Sequence, residues 1–199
     1  MIEILILYYS RHGSVKQMAD IIARGVESID GVQSRIRSVP PVSATCEATS
    51  STVPEEGAPY VTHDDLKECA GIIMGSPARF GSIAAPLKYF LETTGSLWLS
   101  GTLVNKPAAV FTSSSSMHGG QEAALLSMIV PLLHHGAVIA GLPYTDPDLL
   151  QTRSGGTPYG ASHVSGTNSD LPLTEEEKRL CTQLGKRLAT LAKQLETNT

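Results

Sequence analysis

Cysteine is scarce in this 199-residue chain, positive charge never clusters, and no phosphate-binding fingerprint is present. The three cysteines, Cys46, Cys69 and Cys181, are odd in number and widely scattered. No CxxC and no Cys/His spacing of the metal-binding kind occurs, so a disulfide framework and a zinc site are both excluded, and free thiols in a reducing compartment are expected. No run of Lys or Arg exceeds two and the formal net charge is -4, which leaves no electrostatic footprint for nucleic acid or an anionic membrane. There is no GxGxxG joining a strand to a helix and no GxxxxGK[ST]. That argues against a tightly bound dinucleotide and against a nucleotide triphosphatase. The one stretch apolar enough to raise a membrane question, Ala123–Pro143, is interrupted by Pro131, His134, His135 and Gly136, which are expensive in lipid. It reads as a buried helix followed by a buried strand. The N-terminus lacks the basic segment and cleavage site of a signal peptide, so a cytoplasmic location is predicted.

What is present is an ordinary globular composition, 41% hydrophobic and 17% charged, long enough for one well-buried domain over residues 1–199. Short apolar runs alternate with longer helical patterns, the signature of a doubly wound α/β fold around a parallel sheet. The predicted strands are Ile2–Tyr8, Val32–Val39, Gly71–Gly75, Pro107–Thr112 and Ala137–Ala140. Ile2–Tyr8 is a near-continuous apolar run, as in a strand covered on both faces, whereas Val32–Val39 alternates and reads as an edge. Helices are predicted at Ser14–Ser28, around His63–Glu68, at Ala84–Thr94, at Gln121–His135 and at Thr174–Leu195, the last opened by a capping box of Thr174 and Glu177. Two regions lack periodicity: a long loop within residues 40–62, its Pro/Ser/Thr-rich part at Pro40–Pro59, and a glycine-rich irregular stretch at 142–171.

Three loops follow strands that would lie side by side. Between the first strand and first helix stands Ser10-Arg11-His12-Gly13-Ser14-Val15. Its hydroxyls, its glycine and the amides at a helix start suit a phosphate monoester; a plain helix cap by Ser14 is the alternative. After the third strand comes Pro77-Ala78-Arg79-Phe80-Gly81, an exposed tip with a guanidinium, a ring and backbone amides that could meet a heterocycle edge. An ordinary turn with a solvated arginine is the plainer reading. After the fourth comes Ser113-Ser114-Ser115-Ser116-Met117-His118-Gly119, rich in hydroxyls and glycine. Strand-end loops of this kind flank one crevice in an open parallel sheet, and a mononucleotide fits it better than a dinucleotide. Trp98 is either a loop anchor or an aromatic wall over a planar ligand, and His134 beside His135 stands where histidines often cap helix carbonyls.

Taken in order, Leu7-Tyr8-Tyr9-Ser10 with His12-Gly13, Pro77 with Arg79-Phe80-Gly81, Thr94-Gly95 with Leu97-Trp98, Gly119-Gly120-Gln121-Glu122, His134-His135-Gly136 and Gly155–Ala161 form a pattern that covers nearly the whole chain. It resembles the WrbA-type flavoproteins, the type IV NAD(P)H:quinone oxidoreductases. The resemblance implies a flavodoxin-like fold with a five-stranded sheet in the order 2-1-3-4-5 and helices on both faces, FMN held noncovalently, NADH or NADPH as hydride donor, a quinone as acceptor and a homotetramer. It assigns Ser10–Val15 to the FMN phosphate, and Ala78–Phe80 with Ser113–Gly119 to the ribityl chain and ring. His134 goes to the flavin region, Trp98 to the substrate side and His12 to the nicotinamide. The chain departs from the pattern at His12, where an aromatic residue is usual, and at Ser115–His118, a loop usually richer in Gly and Thr. With the hydride carried by the flavin, no protein nucleophile is expected. A one-electron carrier of flavodoxin type and a flavin-free interaction protein are the alternatives.

Overall fold

The apolar run at the N-terminus becomes the centre of the sheet because both its faces are covered. In the computed structural model, which describes residues 1–42, 54 and 57–196, β1 (Ile2–Tyr8) points Ile4, Ile6 and Tyr8 into one core and Leu5 and Leu7 into the other. The chain continues through α1 (Ser14–Glu27), β2 (Val32–Ser38), α2 (His63–Glu68), β3 (Gly71–Pro77), α3 (Ala85–Glu92), α4 (Gly95–Leu99), β4 (Pro107–Ser114), α5 (Gln121–His134), β5 (Val138–Ile139), α6 (Asp148–Gln151), β6 (Ala161–Val164) and α7 (Glu175–Glu196). All paired strands are parallel and run in the order β2-β1-β3-β4-β5, with β6 also paired to β4. The order 2-1-3-4-5 is the one the resemblance implies. β2 lies at the edge, as its alternation predicts.

The sheet has six strands where five were expected. β5 pairs only Val138 and Ile139 with Pro107 and Ala108, at the base of β4. The chain then leaves the sheet, and β6 returns to pair Ala161–Val164 with Phe111–Ser114, the upper half of the same strand. The stretch 142–171 is therefore partly regular. Its elements are four residues long, too short to set up a period. The aperiodic segment Pro40–Pro59 falls largely outside the described residues; beside it, Tyr60 bridges to Ser38 at the sheet edge.

The helices divide between the two faces. α1 and α7 cover Ile4, Ile6, Ile73 and Phe111, while α2, α3 and α5 cover Leu5, Leu7, Ile72, Met74 and Val110. α1 and α7 pack backbone against backbone. A methyl group at Gly25 would collide with the Thr182 carbonyl, and one at Gly185 with the Ile22 carbonyl, so side-chain-free residues stand where the helices touch. The predicted capping box is formed: the Glu177 amide donates to Thr174 Oγ1 at 3.2 Å and the Thr174 amide to Glu177 Oε2 at 2.9 Å.

Candidate functional site

β1 and β3 send their following helices to opposite faces of the sheet, so a crevice opens between their carboxyl ends, where open α/β sheets bind ligands. A cavity of about 80 Å³ lies there, bordered by Ser10, Arg11, His12, Ser14 and Val15 after β1. Pro77, Ala78 and Arg79 border it from β3, and Ser113, Ser114 and Ser115 from β4. The three loops singled out in the sequence thus meet at one small polar cradle.

Among the described residues, no side chain caps the helix start behind the cradle. The residue before α1 is Gly13, at φ 91°. Ser14, the expected cap, is already inside the first turn. Gly13 donates its amide to Ser10 Oγ at 3.2 Å, which curls the loop, and the Gln17 amide takes the Gly13 carbonyl at 2.9 Å. The amides of Ser14 and Val15 are therefore among the orphan donors that every helix start presents, and both residues border the cavity. The first turn contains no acid. Amides, hydroxyls, a positive dipole end and the exposed guanidiniums of Arg11 and Arg79 make a site for a dianionic group.

The β3 loop is rigid. The Ser76 hydroxyl donates to the Pro77 carbonyl at 2.9 Å and accepts from the Ala84 amide at 2.8 Å, while Thr112 Oγ1 donates to the Ser76 carbonyl at 2.7 Å. Arg79 and Ser82 exchange two hydrogen bonds of 2.9 Å, closing a hairpin whose central residues, Phe80 at φ 50° and Gly81 at φ 72°, are both left-handed. A bulky aromatic in that region is strained at a cost of about 1–3 kcal/mol, and such strain collects at binding sites. Phe80 is fully exposed at the tip. Of the three amides expected to meet a ligand, those of Ala78 and Arg79 are spent on the Ser113 and Ser82 carbonyls. Among the described residues, the Phe80 amide alone of the three remains without an acceptor.

β4 runs two residues further than predicted, so Ser113 and Ser114 reach the cradle as strand residues. Beyond them the Ser114 hydroxyl donates to the Ser116 carbonyl at 2.7 Å, and Gln121 Nε2 donates back to Ser114 Oγ at 2.9 Å. This fold-back turns Ser116, Met117 and His118 outward, and with Gly119 they stand outside the cavity wall.

Trp98 and His134 lie elsewhere. They line a second, more open groove of about 530 Å³ between α3, α4 and α5, whose walls include Leu91, Val130, Pro131 and His135. Trp98 stands on the short helix α4 rather than in a loop. His135, next to the exposed His134, is buried with Nε2 at 3.0 Å from Thr94 Oγ1. The Thr94 hydroxyl already donates to the Leu91 carbonyl at 2.6 Å, so the ring donates to it from Nε2. Burial, and then the neighbouring charge of His134, hold the His135 pKa below its usual range, keeping this ring neutral. Groove and cradle share no lining residue within one chain.

Ser165 and Ser169 also border the cradle, and sequence reasoning missed both. The available signal was slight: Ser165-Gly166, a hydroxyl and a glycine, follow Ala161–Val164, whose Ser162 and His163 break any apolar run although it proves to be a strand.

Comparison with known proteins agrees with this geometry. A family described as NADPH-dependent FMN reductase matches residues 2–145. A protein named NAD(P)H dehydrogenase (quinone) from Syntrophobacter fumaroxidans is 38% identical over 98% of this chain and 100% of its own length. One of the same name from Geotalea daltonii is 38% identical over 97% of this chain and 98% of its own length. Among solved structures, a WrbA-like flavodoxin from Agrobacterium tumefaciens superposes with a TM-score of 0.69 at 19% identity, covering 98% of this chain and 99% of that one. The chain belongs to the NADPH-dependent FMN reductase family.

Proposed function

We propose that this protein is an FMN-dependent NAD(P)H:quinone oxidoreductase that reduces quinones to hydroquinones by two electrons. The observation that carries the reading is the uncapped, acid-free start of α1 facing a ring of serine hydroxyls at the β1–β3 crevice. It stands in a chain alignable from end to end with proteins named for that activity.

The residues present fit FMN. Ser10, Ser14 and Ser115, with the orphan amides at the α1 start, would hold the phosphate, and Arg11 and Arg79 add positive charge. The Arg79–Ser82 hairpin presents Phe80, with its unspent amide, to the edge of the ring system. His12, on the cradle wall, stands where the nicotinamide donor would approach. The chemistry FMN supplies when bound is two-electron transfer from NADH or NADPH to the quinone. The chain's own part is to bind and orient the two ring systems and keep water from between them.

Trp98 and His134 shape the acceptor pocket in this proposal, but a single chain keeps them apart from the cradle. Another copy must bring them there, and a homotetramer supplies it. In support, α5 is apolar around most of its circumference and leaves Leu126, Val130 and Leu133 exposed in one stripe beside the Trp98 groove. The protein is cytoplasmic in this reading, consistent with Cys69 and Cys181 being free and buried, each thiol pushed up in pKa by its burial.

The test is direct. Protein purified without added flavin should be yellow and should oxidise NADH or NADPH only when a benzoquinone is supplied. A colourless protein that gains no such activity when FMN is added contradicts the proposal.

A further inference from the structure

One wall of the cradle comes from far along the chain, from the turn that follows β6. Ser165 spends both its donors on the Ser114 carbonyl, the amide at 2.8 Å and the hydroxyl at 3.1 Å, and so fastens the turn to β4. Ser169 differs. Its backbone is left-handed at φ 58°, a region that side chains other than glycine's enter at a cost. Among the described residues its hydroxyl has no hydrogen-bond partner, although Ser169 borders the cavity. A strained residue with an unspent hydroxyl on the wall of a small polar cavity is the arrangement expected of a ligand contact.

The turn itself is held from beneath. The Leu171 amide closes it on the Ser165 carbonyl at 3.0 Å, and the Ser169 amide closes an inner loop on Gly166 at 3.1 Å. The Leu171 carbonyl rests on His163 Nε2 at 3.2 Å, and His163 Nδ1 lies 2.8 Å from Glu177 Oε2. Both ring nitrogens of His163 face oxygen atoms, one on Glu177 and one on the Leu171 main chain. Both side chains are almost completely buried. Glu177 also accepts from the Ser154 hydroxyl at 2.7 Å and from the amides of Gly155 at 2.8 Å and Val164 at 3.2 Å, which ties the start of α7 to β6 and to the loop before it. A carboxylate is costly to bury unless its hydrogen bonds are made, as those of Glu177 are here.

We propose that Ser169 is a phosphate-binding residue of the FMN site and that the buried His163–Glu177 pair is a positioning device holding the Ser165–Leu171 turn against it. The inference rests on the FMN reading above.

Wild-type apoprotein, Ser169→Ala, His163→Gln and the double variant are titrated with FMN and with riboflavin, which lacks the phosphate. Ser169→Ala should weaken FMN roughly tenfold or more, the size expected for a hydrogen bond to a charged group, and leave riboflavin within about twofold. His163→Gln should lower the FMN-to-riboflavin ratio in the same way. The double variant should lose less than the sum of the two single losses, because the pair acts through Ser169. Should His163→Gln fail to fold, Glu177→Gln replaces it, keeping the acceptor for Ser154 and Gly155 while removing the charge facing His163. An unchanged ratio in Ser169→Ala, a parallel loss of both ligands in the His163 or Glu177 variants, or full additivity overturns the inference while the FMN reading stands. A wild type that binds FMN and riboflavin equally overturns both.

Discussion

Trp98 donates its indole N–H to the main-chain carbonyl of His134 at 2.7 Å, which ties helix α4 to the end of α5 across the groove between them. The acceptor is backbone, so His134→Ala leaves Trp98 anchored, whereas Trp98→Ala opens the wall. With both residues proposed to shape the acceptor pocket, Trp98→Ala should raise the KM for quinones several-fold with FMN retained and kcat nearly unchanged, the mark of lost uniform binding. His134→Ala should lower the single-turnover rate of hydroquinone formation by less than the ~100-fold expected for a general acid–base. A larger loss, together with disappearance of a pH-dependent limb near pH ~6.5, would make His134 a proton donor.

The loop before α1 depends on a backbone only glycine adopts freely. A methyl group at Gly13 meets no atom within 4 Å, but φ is 91° there, so Gly13→Ala is strained whatever the space. The expected result is a stability loss of ~1–2 kcal/mol and a displaced Ser10–Val15 loop. FMN affinity should fall more than riboflavin affinity, since the cradle is proposed to hold the phosphate. Equal losses for the two flavins would show that this loop does not read the phosphate.

The exposed stripe Leu126, Val130 and Leu133 on α5 calls for a partner surface. Light scattering should give a particle of four chains with flavin bound. Replacing Leu126 and Val130 by glutamate should dissociate it and remove quinone reduction while the isolated chain still binds FMN. A flavin-bound monomer that turns over at the wild-type rate is the contrary result.

Glu177 makes stability depend on pH in a defined direction. Burial alone would raise this carboxyl, but hydrogen bonds from His163, Ser154 and Thr174 hold it down to about 2, against 4.5 for a free glutamate. A carboxylate depressed in the fold stabilises in full above its unfolded pKa and loses that contribution as pH falls through its folded one. The contribution at neutral pH is on the order of 3 kcal/mol. In denaturant titrations the stability gap between wild type and Glu177→Gln should therefore narrow as pH drops from 4.5 to 2. A gap constant over that window would place the charge of Glu177 outside the stability balance.

The strand positions and the cradle were legible because both rest on short-range signals, whereas the strand order came from the resemblance. Ile2–Tyr8 carries a near-continuous apolar run, and Ser10–Val15 stands directly between it and a helix of clear period. β6 was not legible: four residues between glycine-rich turns carry no period, and only their pairing with Phe111–Ser114 defines them. With β6 hidden, Ser165 and Ser169 had no strand end to belong to. The outward turn of Ser116–His118 was hidden for a related reason, since it follows from Ser114 bonding back to Ser116 and Gln121 bonding to Ser114, contacts that composition does not announce. Trp98 and His134 were singled out by resemblance, and their distance from the cradle within one chain is a fact of packing.

The measurement closest to the central claim counts electrons. Under anaerobic conditions, FMN-loaded enzyme is given NADH or NADPH, excess benzoquinone and a one-electron acceptor protein as a trap, and hydroquinone is counted against nicotinamide consumed. The account predicts one hydroquinone per nicotinamide with the trap left oxidised. Reduction of the trap at the expense of hydroquinone would make the protein a one-electron carrier and contradict it.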